Sequence, residues 1–219
     1  MSDLFFDAIK AGDLAKARAI LKEDPKQANA RGPEGVAAVV FALYHGRDDI
    51  ADLILTHRPT LDLHAAATVG DLARVRELVE RDSAAVHAYS SDGFPPLGLA
   101  AYMGHGDVVT YLISKRADVN QIGRNPAKFT ALTGAVASGH RAVVKILLEA
   151  GADPNYWYAG GYTPVLEAAA HGDVRLLELL VAHGGDVTAE TEQGKTAVAL
   201  ALEGKHPVAA DWLRKHGTK

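Results

Sequence analysis

Cysteine is absent from all 219 positions, which removes disulfides, thiolate metal sites and thiol nucleophiles together. Long apolar runs are missing too: no stretch approaches the roughly 18 residues that a membrane span needs. The start, Met1-Ser2-Asp3-Leu4-Phe5-Phe6-Asp7, has neither the basic flank nor the apolar core of a signal peptide. The expectation is a cytoplasmic chain with no membrane association. No charge of one sign dominates; 27 acids and 23 bases leave a net charge of −4 without long runs, which argues against a nucleic-acid footprint. The ten histidines come without a carboxylate pair, a serine elbow or a His-x-x-x-His helix. Gly160-Gly161 lacks the flanking strand and lysine of a phosphate loop. No catalytic residue, metal or cofactor is therefore expected. Aromatic residues are only 6% of the chain, so the places where they do fall carry information.

What the chain does have is an internal period. Gly12, Gly46, Gly70, Gly104, Gly139 and Gly172 stand 34, 24, 34, 35 and 33 residues apart. Four residues before these glycines are Ala8, Ala42, Ala66, Ala100, Ala135 and Ala168, and seven before them are Phe5, Val39, Leu63, Leu97, Leu132 and Val165. Eight residues after come Ile20, Ile54, Leu78, Leu112, Leu147 and Leu180, and the next position is apolar in every copy as well. Spacing of i, i+3, i+4 on both sides of the glycine predicts an amphipathic helix, a glycine turn and a second amphipathic helix in each copy. A seventh copy fits with Lys205 in the glycine's place, Val198 and Ala201 upstream and Leu213 downstream. Its next position is Arg214, the polar residue that a terminal repeat needs on its outer side, and no room for an eighth copy remains before Lys219. A fixed period of this kind is the signature of stacked repeats rather than of one globular core.

The segments Gly161-Tyr162-Thr163-Pro164, Ala168-Ala169-Ala170 and Gly151-Ala152-Asp153-Pro154-Asn155 resemble the ankyrin repeat, whose signature includes a Thr-Pro-Leu-His start and a Gly-Ala-Asp end. The resemblance covers about residues 3–216, as repeats near 3–30, 31–61, 62–88, 89–120, 121–155, 156–188 and 189–216. It implies one all-α domain over 1–219, a helix-turn-helix solenoid of about seven repeats including two caps, with short β-turn fingers between them. The motif's histidine survives only as His64; Val40, Gly98, Thr133, Leu166 and Ala199 replace it elsewhere, and Thr-Pro is intact only at Thr163-Pro164.

The same segments make physical sense residue by residue. Thr163 can accept a bond from an orphaned N–H at a helix start, and Pro164 occupies the first helical position, where its missing N–H costs nothing. Gly151 and Gly184-Gly185 sit where second helices should stop, followed by Asp153 and Asp186, which can hydrogen-bond the turning backbone. The short step between Gly46 and Gly70 predicts a missing finger in the third repeat, with Pro59 ending the helix before it. The long junction Ile122–Lys128 is expected to be the most mobile finger.

Function in such a stack belongs to the surface that the buried stripes leave free. The resemblance implies a concave groove lined by finger tips and by the last residues before each glycine: Tyr44 and His45, Tyr102 and Met103, Ala137 and Ser138, Ala170 and His171. Fingers add Val36, Phe94, Phe129 and Tyr162, and the sixth contributes Tyr156, Trp157 and Tyr158. The candidate partner-binding residues are Tyr44, His45, Phe94, Tyr102, Met103, Phe129, Trp157, Tyr158, Tyr162 and His171, because aromatic rings bury much area at little rotamer cost. For Tyr156 and Tyr162 the structural alternative is packing of finger against finger. His105, His140 and His206 read as backbone-contacting residues at the start of second helices. The expected occupant is a protein partner of a monomeric chain. Two alternatives stand beside it: a small-molecule sensor or minor enzyme using the groove near Tyr44, Tyr102 and His171, and an inhibitor of one particular enzyme.

Overall fold

Each copy of the pattern folds as two short helices joined by a tight turn. The computed structural model describes residues 2–124 and 126–217. Within them the helix pairs are α1 (Ser2–Ala11) with α2 (Leu14–Glu23), α3 (Ala38–Tyr44) with α4 (Asp48–Thr56), α5 (Leu63–Val69) with α6 (Leu72–Arg81), and α7 (Pro96–Tyr102) with α8 (Gly106–Ser114). The stack continues with α9 (Ala131–Ala137) and α10 (Arg141–Glu149), α11 (Pro164–Ala170) and α12 (Val174–Ala182), and α13 (Ala197–Glu203) and α14 (Pro207–His216). First helices pack on first helices from α1 to α13 in order, and second helices form a parallel row behind them. That row is weakest between α4 and α6, where a cleft of about 300 Å3 opens beside Leu55 and Met103. No helix among the described residues is long and apolar enough to cross a membrane.

The alanine four residues before each turn is the seam of the stack. Ala8, Ala42, Ala66, Ala100, Ala135, Ala168 and Ala201 are all buried, none more than 1% exposed, so a larger side chain there would overpack by about 1–3 kcal/mol. The turn glycines adopt left-handed backbone, and Lys205 takes the same conformation at φ 62° in the last copy. Gly70 is required twice over. Its φ is +77°, and a Cβ there would lie 2.6 Å from the ring of His105, which belongs to the following repeat. His105 Nε2 in turn sits 2.9 Å from the Thr68 carbonyl, so this histidine joins one repeat's first helix to the next repeat's turn.

Caps follow the chemistry expected of them. Thr163 and Thr196 accept from backbone N–H groups three residues on, and Asp13, Asp71 and Asp173 do so at second helices. Beyond α10 and α12, Gly151 and Gly184 have φ near +90°, and Asp153 and Asp186 accept from the amides of Asn155 and Thr188. Asn120 and Asn155 add a ladder between repeats: each side chain accepts from an aspartate amide of the next copy and donates to a glycine carbonyl there.

Repeats 1 and 3 differ from the others in the same way. After α2 and α6 the chain makes short 3-10 helices, Pro25–Asn29 and Ser83–His87, capped by the side chains of Asp24 and Asp82. Gly12 to Gly70 and Gly46 to Gly104 are both 58 residues, so the first four repeats are one two-repeat unit used twice. The third repeat therefore carries no finger. Isolated β-bridges pin the fingers at Arg31–Ala37, Tyr158–Tyr162 and Glu190–Thr196, whereas none lies between α4 and α5 among the described residues. Helix α4 stops at Thr56, with Arg58 in the left-handed region, so it ends before Pro59 is reached. The expectation of greatest mobility in the 122–128 finger includes Asn125, which lies outside the described residues, as do Met1, Thr218 and Lys219.

Candidate partner-binding groove

With no finger on repeat 3, the fingers of repeats 2 and 4 close over the gap. A Cβ on Gly35 would lie 3.3 Å from the Ser91 hydroxyl, so the two tips stand side by side. The place of the missing finger is a cavity of about 270 Å3 with a polar and an apolar side: Arg31 from finger 2, Tyr44 from α3, Asp62, His64 and Thr68 at α5 and Tyr89–Asp92 from finger 4 on the one, and Val36, Ala37, Val40, Ala65 and Leu99 on the other.

Tyr44 and Leu99 are also the near wall of a second, apolar cleft of about 240 Å3, completed by Phe94, Pro95, Gly98, Tyr102, Phe129, Thr130 and Gly134. Its shape follows from small residues at fixed positions. Tyr44 and Tyr102 end α3 and α7; the matching residue of α5 is the smaller Thr68, which leaves space between the two rings. Gly98 stands where the repeat motif has histidine. Gly134 faces Tyr102, whose Cβ would be 3.6 Å from an added methyl, so the glycine deepens the cleft. Tyr44 and Tyr102 remain 37% and 44% exposed, enough to meet a partner.

The hydrogen bonds fix the polar wall. The Tyr44 hydroxyl donates to Asp92 Oδ2 at 2.9 Å, and the Ser90 hydroxyl donates to Oδ1 at 2.5 Å. Burial and the neighbouring Asp92 charge push the Tyr44 hydroxyl well above the ordinary tyrosine range. Arg31 pairs with Asp62 at 2.6 Å and donates to the Gly35 carbonyl. Burial raises the Asp62 carboxyl, but the Ala65 amide and Arg31 outweigh it and hold it below the usual carboxylate range. His64 Nε2 lies 3.1 Å from the Ala88 carbonyl and donates to it.

Of the ten candidate residues, Tyr44, Phe94, Tyr102 and Phe129 converge on this cleft. Three others stand differently from the expectation. His45 is half-buried, with Nδ1 2.9 Å from the Phe41 carbonyl of its own helix and its ring 4.2 Å from that of Phe41. Met103 belongs to the separate cleft beside α4, because it follows the end of α7 and turns toward the second-helix row. Tyr158 is buried: its hydroxyl donates to Glu167, and its ring meets the edge of Phe129 at 5.4 Å. Trp157 is 57% exposed and donates to its own finger's Gly161 carbonyl. Tyr162 is half-buried against the core beside Tyr158, and exposed His171 pairs with Glu167 at 3.5 Å. Tyr156 bonds the Lys128 carbonyl, finger against finger. Asp92, His64, Arg31 and Gly134 were not among the candidates. The available signal for them was the shortened step itself, which removes a finger and exposes whatever flanks it.

Two family models match the chain, both described as ankyrin repeats: one over residues 63–157 and one over 147–201. Among curated proteins, an ankyrin repeat-containing protein of Treponema pallidum is 36% identical over 109 residues, half of this chain and 36% of its own length. BCL-6 corepressor-like protein 1 of Homo sapiens is 39% identical over 103 residues, 47% of this chain and 6% of its own. Ankyrin repeat and SAM domain-containing protein 6 of Rattus norvegicus is 34% identical over 122 residues, 52% of this chain and 14% of its own. The chain thus spans about a third or less of the length of these relatives. With the family matches running from residue 63 to residue 201 and the same helix pairs stacked on both sides of them, the chain belongs to the ankyrin repeat family.

Proposed function

We propose that the chain is a recognition module, binding a protein partner through the concave face of repeats 2 to 5 and carrying no reaction of its own. Ankyrin repeats in general are protein-interaction modules. The observation that carries the reading here is the cleft in which Tyr44, Phe94, Tyr102 and Phe129 meet around small residues. Contiguous exposed aromatic surface of this kind marks interaction sites, and Tyr is among the residues that dominate binding energy. Cavities of about 240 and 270 Å3 are each smaller than the roughly 300–1,000 Å3 of most small-molecule sites, which favours insertion of partner side chains over capture of a free ligand.

Affinity capture with the native chain and with a Tyr102→Ala, Phe129→Ala double variant tests the reading. A protein retained by the native chain and lost by an equally folded variant supports it. Equal retention by both moves the interface away from the cleft, and turnover or a ligand-induced melting shift without any captured protein favours the small-molecule alternative.

A further inference from the structure

The cavity left by the absent finger has a chemical bias that narrows the partner. Most of its side-chain donors are already engaged, the Ser91 hydroxyl and the remaining N–H groups of Arg31 excepted. Tyr44 and Ser90 donate to Asp92, Arg31 to Asp62 and Gly35, His64 Nε2 to Ala88, Thr68 to His64, and Tyr89 to Ile122. Acceptor capacity remains at the Asp92 carboxylate, whose two oxygens each take a single hydroxyl.

The charges point the same way. Arg31 and Asp62 cancel each other at 2.6 Å. Asp92 is held only by two neutral hydroxyls, and among the described residues no lysine or arginine pairs with it. Arg124, on the outer side of finger 4, lies over the Tyr89 ring at 4.0 Å instead. The Asp92 carboxylate is thus a negative charge next to aromatic walls with no lysine or arginine paired to it among the described residues.

We propose that this cavity receives a lysine or arginine side chain from an extended segment of the protein partner, its cationic head against Asp92 and its aliphatic stem along Tyr44 and Leu99. The proposal rests on the groove reading above and deepens it. A long basic side chain suits both compartments, since its methylenes cover apolar surface while its head supplies three or five donors to the Asp92 carboxylate. An acidic or phosphorylated side chain would meet Asp92 with like charge. Neighbouring apolar residues of the same segment would fill the cleft between Tyr102 and Phe129.

Panning a phage-displayed library of random dodecapeptides on the full chain at low salt tests this, followed by affinity measurements with the Asp92→Asn and Tyr102→Ala variants. The expected peptides carry a lysine or arginine flanked by apolar residues. Asp92→Asn is expected to weaken them about tenfold or more, the effect of one lost charge-assisted contact. Acetylating that lysine, or replacing arginine by citrulline, should do the same without touching the protein. Peptides that depend on Tyr102 but lack a basic residue and ignore Asp92→Asn would overturn the basic-side-chain proposal and leave the groove reading standing. Failure to enrich any peptide, or binding indifferent to both variants, would overturn the two together.

Discussion

The Tyr44 hydroxyl and the Asp92 carboxylate are 48 residues apart in sequence and 2.9 Å apart in space. Their bond crosses the gap where repeat 3 has no finger, and it ties the end of α3 to finger 4. One deleted finger thereby creates a cavity, brings fingers 2 and 4 together and places a tyrosine on the border between polar and aromatic compartments.

That bond has a titration signature. Burial and Asp92 together raise the Tyr44 hydroxyl, so folding favours its neutral form. The stabilisation is complete below the ordinary tyrosine value of 10.0 and is lost as pH climbs above it. In an ultraviolet titration of the folded chain, Tyr44 should stay protonated, with the buried Tyr158 beside Glu167, while exposed tyrosines ionise; Tyr44→Phe should reduce that late component by one tyrosine, and Asp92→Asn should bring Tyr44's share to lower pH. A Tyr44 that ionises with the exposed tyrosines would mean that the bond to Asp92 does not form.

The same substitution at two glycines should act in opposite directions. Gly134→Ala adds a methyl at ordinary contact distance from Tyr102 inside α9, and the better helix propensity should stabilise by about 0.5–1 kcal/mol while making the cleft shallower. Gly70→Ala forces a left-handed alanine against the His105 ring and should cost more than the roughly 1–2 kcal/mol of the backbone conformation alone. Urea unfolding of both variants measures the contrast.

Core and groove should separate in mutants. Leu147 is fully buried in α10, so Leu147→Ala should destabilise by about 2–5 kcal/mol through its cavity. Tyr102→Ala, at a site 44% exposed, should change stability little and affinity much. An unfolded Tyr102→Ala protein would refute its assignment to the groove.

Opening should begin at the thinnest junction. Because α4 and α6 touch least in the second-helix row, repeats 1 and 2 are expected to exchange amide hydrogens together and ahead of repeats 4 to 6. Uniform protection along the stack, measured by native-state exchange, would contradict this.

The period and its apolar offsets made the helices and the turns legible, down to Lys205 in the glycine's place, because burial of one stripe per helix leaves little freedom in register. The missing finger was legible from the step of 24 residues between Gly46 and Gly70. The 3-10 helices after α2 and α6 were not; their only local signal is an aspartate, Asp24 or Asp82, where the other copies place an arginine (Arg58, Arg116) or a glycine (Gly151, Gly184). Side-chain direction was the other limit. Offset alone assigned His45 and Met103 to the groove, and its place on the sixth finger made Tyr158 a partner-binding candidate, but a carbonyl on the same helix, the bend after α7 and the carboxylate of Glu167 drew them elsewhere. Asp92 gave no signal in the sequence, since its role depends on Tyr44, a contact that no local pattern encodes.

The decisive measurement is the affinity of the captured partner for three single variants of matched stability: Tyr102→Ala in the cleft, Met103→Ala beside α4, and Trp157→Ala on finger 6. Loss of about 2 kcal/mol or more at Tyr102, roughly thirtyfold, with Met103 nearly silent, is the expected result. Equal affinity for the native chain and Tyr102→Ala, or a larger loss at Met103, would contradict a concave aromatic binding site.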